Sequence, residues 1–495
     1  MIQSRTFIGI FALLVSLVAI FQLEQSRSGL QISDFSVGTT PVTLYQRASL
    51  QQAGPIVVVA HGFAGSRQIM QSYSLALAQA GYRVLAFDFE GHGRNPKPMS
   101  GDVTSLEGTT ALLVAETRRV IAYGRSLPGD TRIGLLGHSM ATDIIIRASI
   151  DEVAAGHPVQ AVVAISMFSQ AVTADAPHQL LVISGEWESF LRKAGLDAVH
   201  LVDPAATEAA VAQSGAVRRA TMVAPGVEHV GVLFSTPAVK AAQDWFDSTF
   251  DHRSNTTPTP RGWWILALLA GIVLGFYPIV AKLPAAPAAP AIPTGRFILA
   301  ILIPMAVVPL VITPFYRNFL PVLVADYLML HLALFGLLQL ALLGIWPRWQ
   351  TKAAPLSALA LMLWGILVFG LALDRYAANF WPTWQRLPII AALCVGCVPC
   401  MVADSYLTQA GRAALWRRVA ARLALFASLG MAVALDPGDL TFVLIVLPVF
   451  VLFFLVHGLM GRWIGRKSGA LAAGVGLGLC LAWALGVSFP LFAPA

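Results

Sequence analysis

The chain has 495 residues, of which 57% are hydrophobic and only 12% charged, and its formal net charge is +7 at pH 7. A soluble globular protein is about 45–50% apolar and about 25% charged, so this composition excludes a wholly soluble chain. Residues 32–255 hold 16 Lys/Arg and 20 Asp/Glu, whereas the rest holds 17 Lys/Arg and 6 Asp/Glu among long apolar runs. Because those basic residues lie between apolar segments, the composition argues against binding of nucleic acid.

The first apolar segment covers residues 6–23, with Arg5 before it and Glu24 after it. About 20 residues cross a bilayer, so this segment is long enough to span one. An uncleaved signal anchor and a cleavable signal peptide are both open interpretations. No small-x-small cleavage sequence follows the run, which favours the anchor. Either interpretation predicts that the following domain is exported.

Between residues 32 and 255, short apolar runs alternate with helical stretches, which predicts a parallel sheet with helices on its faces. The predicted strands lie near residues 56–60, 82–88, 132–136, 160–166, 179–184 and 220–224.

From about residue 262 the pattern changes to long apolar segments that are typical of transmembrane helices. We therefore predict three parts: a signal-anchor helix (1–31), an α/β domain (32–255) and an all-α membrane domain with about eight spans (256–495). The eight predicted spans are 262–281, 297–316, 320–345, 356–373, 388–408, 421–436, 441–461 and 469–492.

The basic residues of the loops predict the orientation of these spans, because cytoplasmic loops are enriched in Lys and Arg. With a cytoplasmic N-terminus, twelve basic residues face the cytoplasm and five face outward, which predicts a multi-pass protein of a bacterial inner membrane with an extracytoplasmic α/β domain. The first set is Arg5, Lys282, Arg296, Arg348, Lys352, Arg412, Arg417, Arg418, Arg422, Arg462, Arg466 and Lys467, and the second is Arg27, Arg261, Arg317, Arg375 and Arg386.

The segment Gly137-His138-Ser139-Met140-Ala141 follows an apolar strand and precedes a helical stretch. Small residues on both sides of a serine, between strand and helix, indicate a tight turn that exposes the hydroxyl at a helix N-terminus. Ser139 is therefore a candidate nucleophile. The alternative is an ordinary helix N-cap serine.

A serine nucleophile needs a base and a carboxylate that orients it. His229 follows the late strand at 220–224 and is the candidate base, with a plain surface histidine as the alternative. Glu186 and Glu188 follow the strand at 179–184 and are the acids available there.

The order of serine, acid and histidine resembles the α/β-hydrolase superfamily, over about residues 40–250. The resemblance implies a doubly wound, mostly parallel sheet. We expect no cofactor and no metal. The resemblance also implies an oxyanion hole formed by the backbone amides of Phe63, in an early His-Gly-X segment, and of Met140. The family's acid position corresponds to Glu188, with Glu186 as the alternative. Ala141 replaces the family's commoner glycine, and a glutamate replaces its commoner aspartate.

We do not expect the other histidines near these motifs to take part in proton transfer. The resemblance places the Asp88–Gly93 segment in a structural loop near the site. We expect His61 and His92 to be structural and to bond loop backbone groups. We expect His138, next to the serine, to point away from the site.

Only residues 167–178 separate the strand at 160–166 from the acid-bearing strand, which leaves no room for the helical cap of many superfamily members. We therefore predict an open site and a membrane-anchored serine esterase or lipase-like hydrolase, acting on an ester or lipid acyl bond. An acyltransferase that uses the same acyl-enzyme remains an alternative.

A transporter or scaffold with a binding-only hydrolase domain is the third hypothesis, because intramembrane ionisable groups such as Asp326, His331 and Asp404 are costly. Interhelical hydrogen bonding is the other interpretation of these groups. Cys394, Cys397 and Cys400 have a metal-like spacing, but in an apolar helix small residues more often serve packing.

Overall fold

The computed structural model describes residues 2–48, 54–102, 105–322, 324–346, 348–349 and 354–493. Lys352, counted above for the orientation, lies outside the described residues. The chain divides into two compact units. The globular unit comprises residues 19–266, 374–379 and 490–493, and the helical unit comprises residues 2–18, 267–373 and 380–489.

The globular unit is built on one sheet of nine described strands. The strands are β1 (Leu30–Val37), β2 (Thr40–Arg47), β3 (Ile56–Ala60), β4 (Arg83–Phe87), β5 (Ile133–His138), β6 (Ala161–Ile165), β7 (Gln179–Gly185), β8 (Val211–Ser214) and β9 (Val217–Ala224). Their order across the sheet is β1-β2-β4-β3-β5-β6-β7-β9-β8. The six central strands β4, β3, β5, β6, β7 and β9 pair in parallel, and β2 and β8 pair antiparallel with β4 and β9 at the two ends.

Helices connect most of the parallel strands of this unit, and the central strands β3 to β6 are buried along their whole length. Strands covered on both faces are typical of parallel sheets, which explains their unbroken apolar sequences. The helices that accompany the sheet are α2 (Gln71–Gln79), α3 (Ala111–Ser126), α4 (Met140–Ala154), α5 (Ser189–His200) and α6 (Thr236–Phe250). The fold class predicted from the sequence is confirmed.

Two short segments from beyond residue 256 belong to the globular unit. Leu491 exchanges backbone hydrogen bonds with Gly91 and Met99, each 2.8 Å long. In residues 374–379, Asp374 pairs with Arg94 (2.5 Å) and the Asn379 N–H donates to Ser66 Oγ (3.0 Å). Residues 490–493 therefore bind the loop that follows β4, and residues 374–379 bind the loops that follow β3 and β4.

In the described part of the chain, nine helices are long and apolar enough to cross a membrane, and they coincide with the nine apolar segments of the sequence. Their bounds are Arg5–Gln25, Arg261–Val280, Thr294–Phe315, Ala325–Leu343, Ala354–Tyr376, Trp384–Leu407, Leu415–Leu435, Val443–Ser468 and Ala470–Ser488. The seventh begins six residues before the predicted start at 421, because its first two turns contain arginines that the apolar pattern excludes.

Asp326 and His331, two ionisable residues of the helical unit, are hydrogen-bonded. Asp326 accepts from Tyr316 Oη (2.6 Å) and from three backbone amides, two of them in the preceding loop, so it joins that loop to the first turn of its helix. His331 lies between Tyr327 Oη (3.2 Å) and Ser428 Oγ (3.0 Å). The contact between His331 and Ser428, which lie on different helices, matches the interhelical hydrogen-bonding interpretation. Among the described residues, no group of three or more His, Cys, Asp or Glu is arranged to hold a metal ion.

Candidate active site

Ser139 lies in the turn between β5 and α4, with φ 54° and ψ −121°. Such a backbone conformation is strained for a non-glycine residue and is typical of functional sites. The turn needs a small residue before it, because a Cβ on Gly137 would lie 3.0 Å from Ile145 Cδ1 and 3.1 Å from the Ala141 carbonyl oxygen. The Ser139 side chain makes no capping hydrogen bond to the described part of α4, so the N-cap alternative does not explain where its hydroxyl points.

The structure brings Ser139, His229 and Glu188 into one line of hydrogen bonds. Ser139 Oγ lies 2.9 Å from His229 Nε2, and His229 Nδ1 lies 2.6 Å from Glu188 Oε1. Since a carboxylate only accepts, His229 carries its proton on Nδ1, and Nε2 is free to accept the serine proton. The base is thus in the tautomer that proton abstraction requires.

Glu188 is buried, whereas the His229 side chain is 42% exposed. Burial raises the pKa of Glu188, but hydrogen bonds from His229, the Gly185 amide (2.6 Å) and Ser166 Oγ (2.8 Å) outweigh it and hold that pKa below its usual value. The carboxylate is therefore ionised at neutral pH. Glu186, the alternative acid, instead accepts from the Gly226 amide (2.7 Å).

Ser166 was not singled out from the sequence. It follows β6 with a positive φ of 52° and donates to the carboxylate oxygen of Glu188 that His229 does not use. Because β6 lies between β5 and β7, its carboxyl end is adjacent to both the serine and the acid. The order of the strands in the sheet indicates the role of Ser166, and that order cannot be obtained from the sequence alone.

The loop after β3 carries Phe63 beside the nucleophile. A Cβ on Gly62 would lie 3.1 Å from Ser139 Cβ, so this position requires glycine. His61 fixes the loop: its Nδ1–H donates to the Gly62 carbonyl (2.8 Å), and its Nε2 accepts from the Phe89 amide (3.1 Å). Phe63 and Met140 are both partly exposed. The assignment of their amides to an oxyanion hole stays a prediction.

His92 has a role similar to that of His61, as expected from the sequence. Its Nδ1 donates to the Glu90 carbonyl (2.9 Å), and its ring packs edge-on against Phe63. The contacts of His61 and His92 are with loop backbone and aromatic groups.

The expectation that His138 points away from the site is wrong. Its Nε2 lies 2.9 Å from the backbone carbonyl oxygen of His229, and the two imidazole rings are 4.8 Å apart. Burial and the neighbouring His229 lower the pKa of His138 to about 3, so its ring is neutral. A neutral ring that donates from Nε2 holds the loop of the candidate base.

Exposed apolar side chains are adjacent in the chain to the candidate residues. Trp187 and Phe190 flank Glu188 and are each 69% exposed, Phe168 is 58% exposed, and Val230 follows His229. The Phe168 amide donates to Thr142 Oγ1 (3.0 Å), and Thr142 Oγ1 in turn donates to the Ser139 carbonyl (2.7 Å). Residues 166–178, all of which are described, contain no helix, so the connection after β6 adds no helical cap.

Comparisons with known proteins agree with this fold. The family described as alpha/beta hydrolase fold matches residues 55–199. Human protein ABHD12B is 30% identical over 151 residues, which is 30% of this chain and 39% of that protein. An epoxide hydrolase from Caballeronia sordidicola is 30% identical over 83 residues, 17% of this chain and 25% of that protein. The chain thus spans less than half the length of these curated relatives.

Among solved structures, an esterase from Pyrobaculum calidifontis aligns with a TM-score of 0.34 at 15% identity, over 50% of this chain and 93% of that one. The sheet order, the turn at Ser139 and the family match define the globular unit as a domain with the α/β-hydrolase fold. In this chain, that domain is joined to a bundle of apolar helices.

Proposed function

We propose that this protein is a membrane-anchored serine hydrolase that cleaves carboxylic esters through an acyl-enzyme. The observation that carries the proposal is the hydrogen-bond line Ser139 Oγ–His229 Nε2 and His229 Nδ1–Glu188 Oε1, at 2.9 and 2.6 Å. Serine, imidazole and carboxylate at these distances are the arrangement that activates a hydroxyl for attack on an acyl carbonyl.

In the first half-reaction, Ser139 Oγ attacks the carbonyl carbon of the ester while His229 Nε2 accepts its proton. Glu188 stabilises the imidazolium that forms, and the amides of Phe63 and Met140 donate to the developing oxyanion. His229 then returns the proton to the alkoxide leaving group. The alcohol departs and an ester of Ser139 remains.

In the second half-reaction, His229 takes a proton from water and the hydroxide attacks the acyl carbonyl. His229 then returns that proton to Ser139 Oγ as the ester bond breaks and the carboxylic acid departs. The exposure of His229 supports water, in preference to a second alcohol, as the acceptor, because 42% of its side-chain surface is accessible to solvent. Hydrolysis is therefore the reaction that we propose ahead of acyl transfer.

Exposed apolar side chains close in the chain to the candidate residues support an ester with a long apolar acyl chain. Large apolar side chains at exposed positions mark surfaces that bind apolar partners when they lie together. Here Phe168, Trp187, Phe190 and Val230 each lie next to a segment that carries a candidate catalytic residue. A membrane-derived acyl ester is the substrate class that fits these side chains.

Labelling with a fluorophosphonate probe tests the nucleophile. The full-length protein in detergent should be labelled and should hydrolyse p-nitrophenyl esters, and S139A should lose both properties. The control S126A removes an exposed hydroxyl that bonds only a local carbonyl, and it should behave like the wild type. Labelling of S139A at the wild-type level would disprove the assignment.

The substrate class is tested with p-nitrophenyl esters of increasing acyl length, assayed beside a small epoxide because one relative is named an epoxide hydrolase. We expect kcat/KM to rise with acyl length in the wild type and to rise less in F168A/W187A. The control V153A/L201A removes two exposed apolar side chains at the far ends of α4 and α5. The same dependence of kcat/KM on acyl length in all three proteins would contradict this substrate class. A preference of the wild type for the epoxide would also contradict it.

We also propose that the hydrolase domain faces the extracytoplasmic side of a bacterial inner membrane, as the distribution of loop arginines and lysines indicates. Protease added to spheroplasts should cleave the 254–260 linker, which contains no helix or strand and joins the domain to the next helix. Cleavage only after the membrane has been disrupted would place the linker on the cytoplasmic side and contradict the proposed orientation.

A further inference from the structure

We propose that a cluster of arginines in the helical unit binds the phosphate of an anionic phospholipid headgroup. The arginine cluster consists of five residues at adjoining helix ends, namely Arg412, Arg418, Arg422, Arg462 and Arg466. Arg418 and Arg422 lie in the first two turns of the helix Leu415–Leu435, and Arg462 and Arg466 lie in the last two turns of Val443–Ser468.

Contacts between these residues show that the side chains share one location. Arg462 packs on Gly411, where a Cβ would lie 2.5 Å from Arg462 Cγ. Arg466 Nη2 donates to the Gly411 carbonyl, and Arg412 Nη2 donates to the Arg466 carbonyl, both at 2.8 Å. Arg418, Arg422 and Arg466 are all close enough to Arg462 to interact with its charge.

The cluster carries an excess of positive charge. Asp404 is the acid that pairs with it, at 3.5 Å from Arg422 Nη2. Within the described residues, the side chains of Arg418 and Arg462 have no hydrogen bond and no ion pair, and the Nε atoms of Arg418 and Arg422 are buried without an acceptor. Like charges held together without acceptors repel one another, so an anion that accepts from several guanidinium groups would turn this repulsion into attraction.

The surroundings favour a lipid as the source of that anion. Leu415, Val419 and Leu423 lie one turn apart on the helix that carries Arg418 and Arg422, and all three are exposed. Trp416, at the level of the arginines, is 51% exposed, as is typical of tryptophan at a membrane interface. If the phosphate of a lipid binds the arginines, its acyl chains can therefore lie along an apolar helix surface. Basic sites between transmembrane helices bind anionic headgroups in this way.

The test compares three full-length proteins purified in a neutral detergent: the wild type, R418Q/R462Q and K282Q/R348Q. The last variant is the matched control, because it removes two exposed basic residues from the same predicted face of the membrane. Each protein is titrated with phosphatidylglycerol, with phosphatidylcholine and with inorganic phosphate. Thermal unfolding and native mass spectrometry are the readouts.

We expect phosphatidylglycerol to raise the melting temperature of the wild type and of the control, and to be retained by them about tenfold better than by R418Q/R462Q. Phosphatidylcholine and inorganic phosphate should have no such effect. An equal shift with inorganic phosphate alone would overturn the lipid as the source of the anion. Equal retention of phosphatidylglycerol by all three proteins would overturn the site.

Stability without lipid gives an independent readout. Because the substitutions remove repulsion between unpaired guanidinium groups, lipid-free R418Q/R462Q should melt at a higher temperature than the lipid-free wild type. A lower melting temperature, with an unchanged gel-filtration profile, would contradict the unpaired state of the two arginines on which the site depends.

Discussion

His138 Nε2 donates a hydrogen bond to the backbone carbonyl oxygen of His229 across 2.9 Å, so the residue before the nucleophile holds the loop that carries the base. We predict that H138A lowers kcat/KM for ester hydrolysis about fivefold to tenfold, since one buried hydrogen bond contributes about 1 kcal/mol. H138Q retains a donor and should recover part of the loss. The control H157A changes an exposed histidine. Wild-type kinetics in H138A would show that this hydrogen bond does not position His229.

The same histidine should affect how stability depends on pH. Its folded pKa of about 3 lies below its unfolded value of 6.5, so the unfolded chain binds an additional proton between these two values. Stability is therefore complete above about pH 6.5 and falls as the pH decreases toward 3, by at most about 1.4 kcal/mol per pH unit. Melting temperatures between pH 7 and 5 should fall less steeply in H138Q than in the wild type. An equal dependence of melting temperature on pH in H138Q and the wild type would contradict the buried neutral state of His138.

Glu188 and Glu186 form a matched pair for testing the acid. E188Q removes the charge that lies 2.6 Å from His229 Nδ1, and we expect kcat to fall by about 10⁴, the size of effect seen when the acid of a comparable triad becomes an amide. E186Q changes a side chain that accepts only from the Gly226 amide among the described residues, and its kcat should stay close to that of the wild type. A large loss in E186Q with activity retained in E188Q would reverse the assignment.

Ser166 should be a positioning residue for Glu188. S166A removes one of the three donors to this carboxylate, and we expect a stability loss at pH 7 of about 1.5–3 kcal/mol together with a lower kcat. Because the folded pKa of Glu188 is lowered, the stability that its partners contribute is present above pH 4.5 and is lost as the pH falls through the folded pKa. The difference in melting temperature between S166A and the wild type should therefore shrink in acid.

S169A is the control for this variant, because it also removes a hydroxyl that donates to a carboxylate, that of Asp143 at 2.7 Å. It should cost stability without lowering kcat. Equal kcat values in S166A and S169A would show that Ser166 does not act through Glu188.

Residues 374–379 should support the loops around the candidate oxyanion hole. Asp374 pairs with Arg94, whose neighbour Gly93 packs against Asp88, and Asn379 bonds Ser66 in the loop after Phe63. The pair is partly exposed, so D374A should lower kcat only about fivefold, with little change in KM. D439A, which changes an exposed acid in another inter-helix segment, serves as the control. An unchanged kcat in D374A would show that the segment is dispensable for the site.

The sequence by itself determined the elements whose patterns are local. Buried parallel strands appear as unbroken apolar runs, and membrane-spanning helices as longer ones, so the α/β-hydrolase fold and the nine apolar helices were predictable. The turn at Ser139 was recognisable because its steric demand for small neighbours lies within five residues. The hairpin β1–β2 was not predicted, since its strands are only partly apolar.

Tertiary structure alone decided which side chains meet. Glu186 and Glu188 lie two residues apart with the same chemistry, and only the course of the chain after β7 brings one of them to His229. Ser166 and the contact of His138 depend on the order in which strands pair, and residues 374–379 join the globular unit from more than 100 residues beyond it. Hydrogen bonds between distant segments leave no periodic trace in a sequence, because they depend on the position and orientation of a few atoms and not on the burial of whole faces.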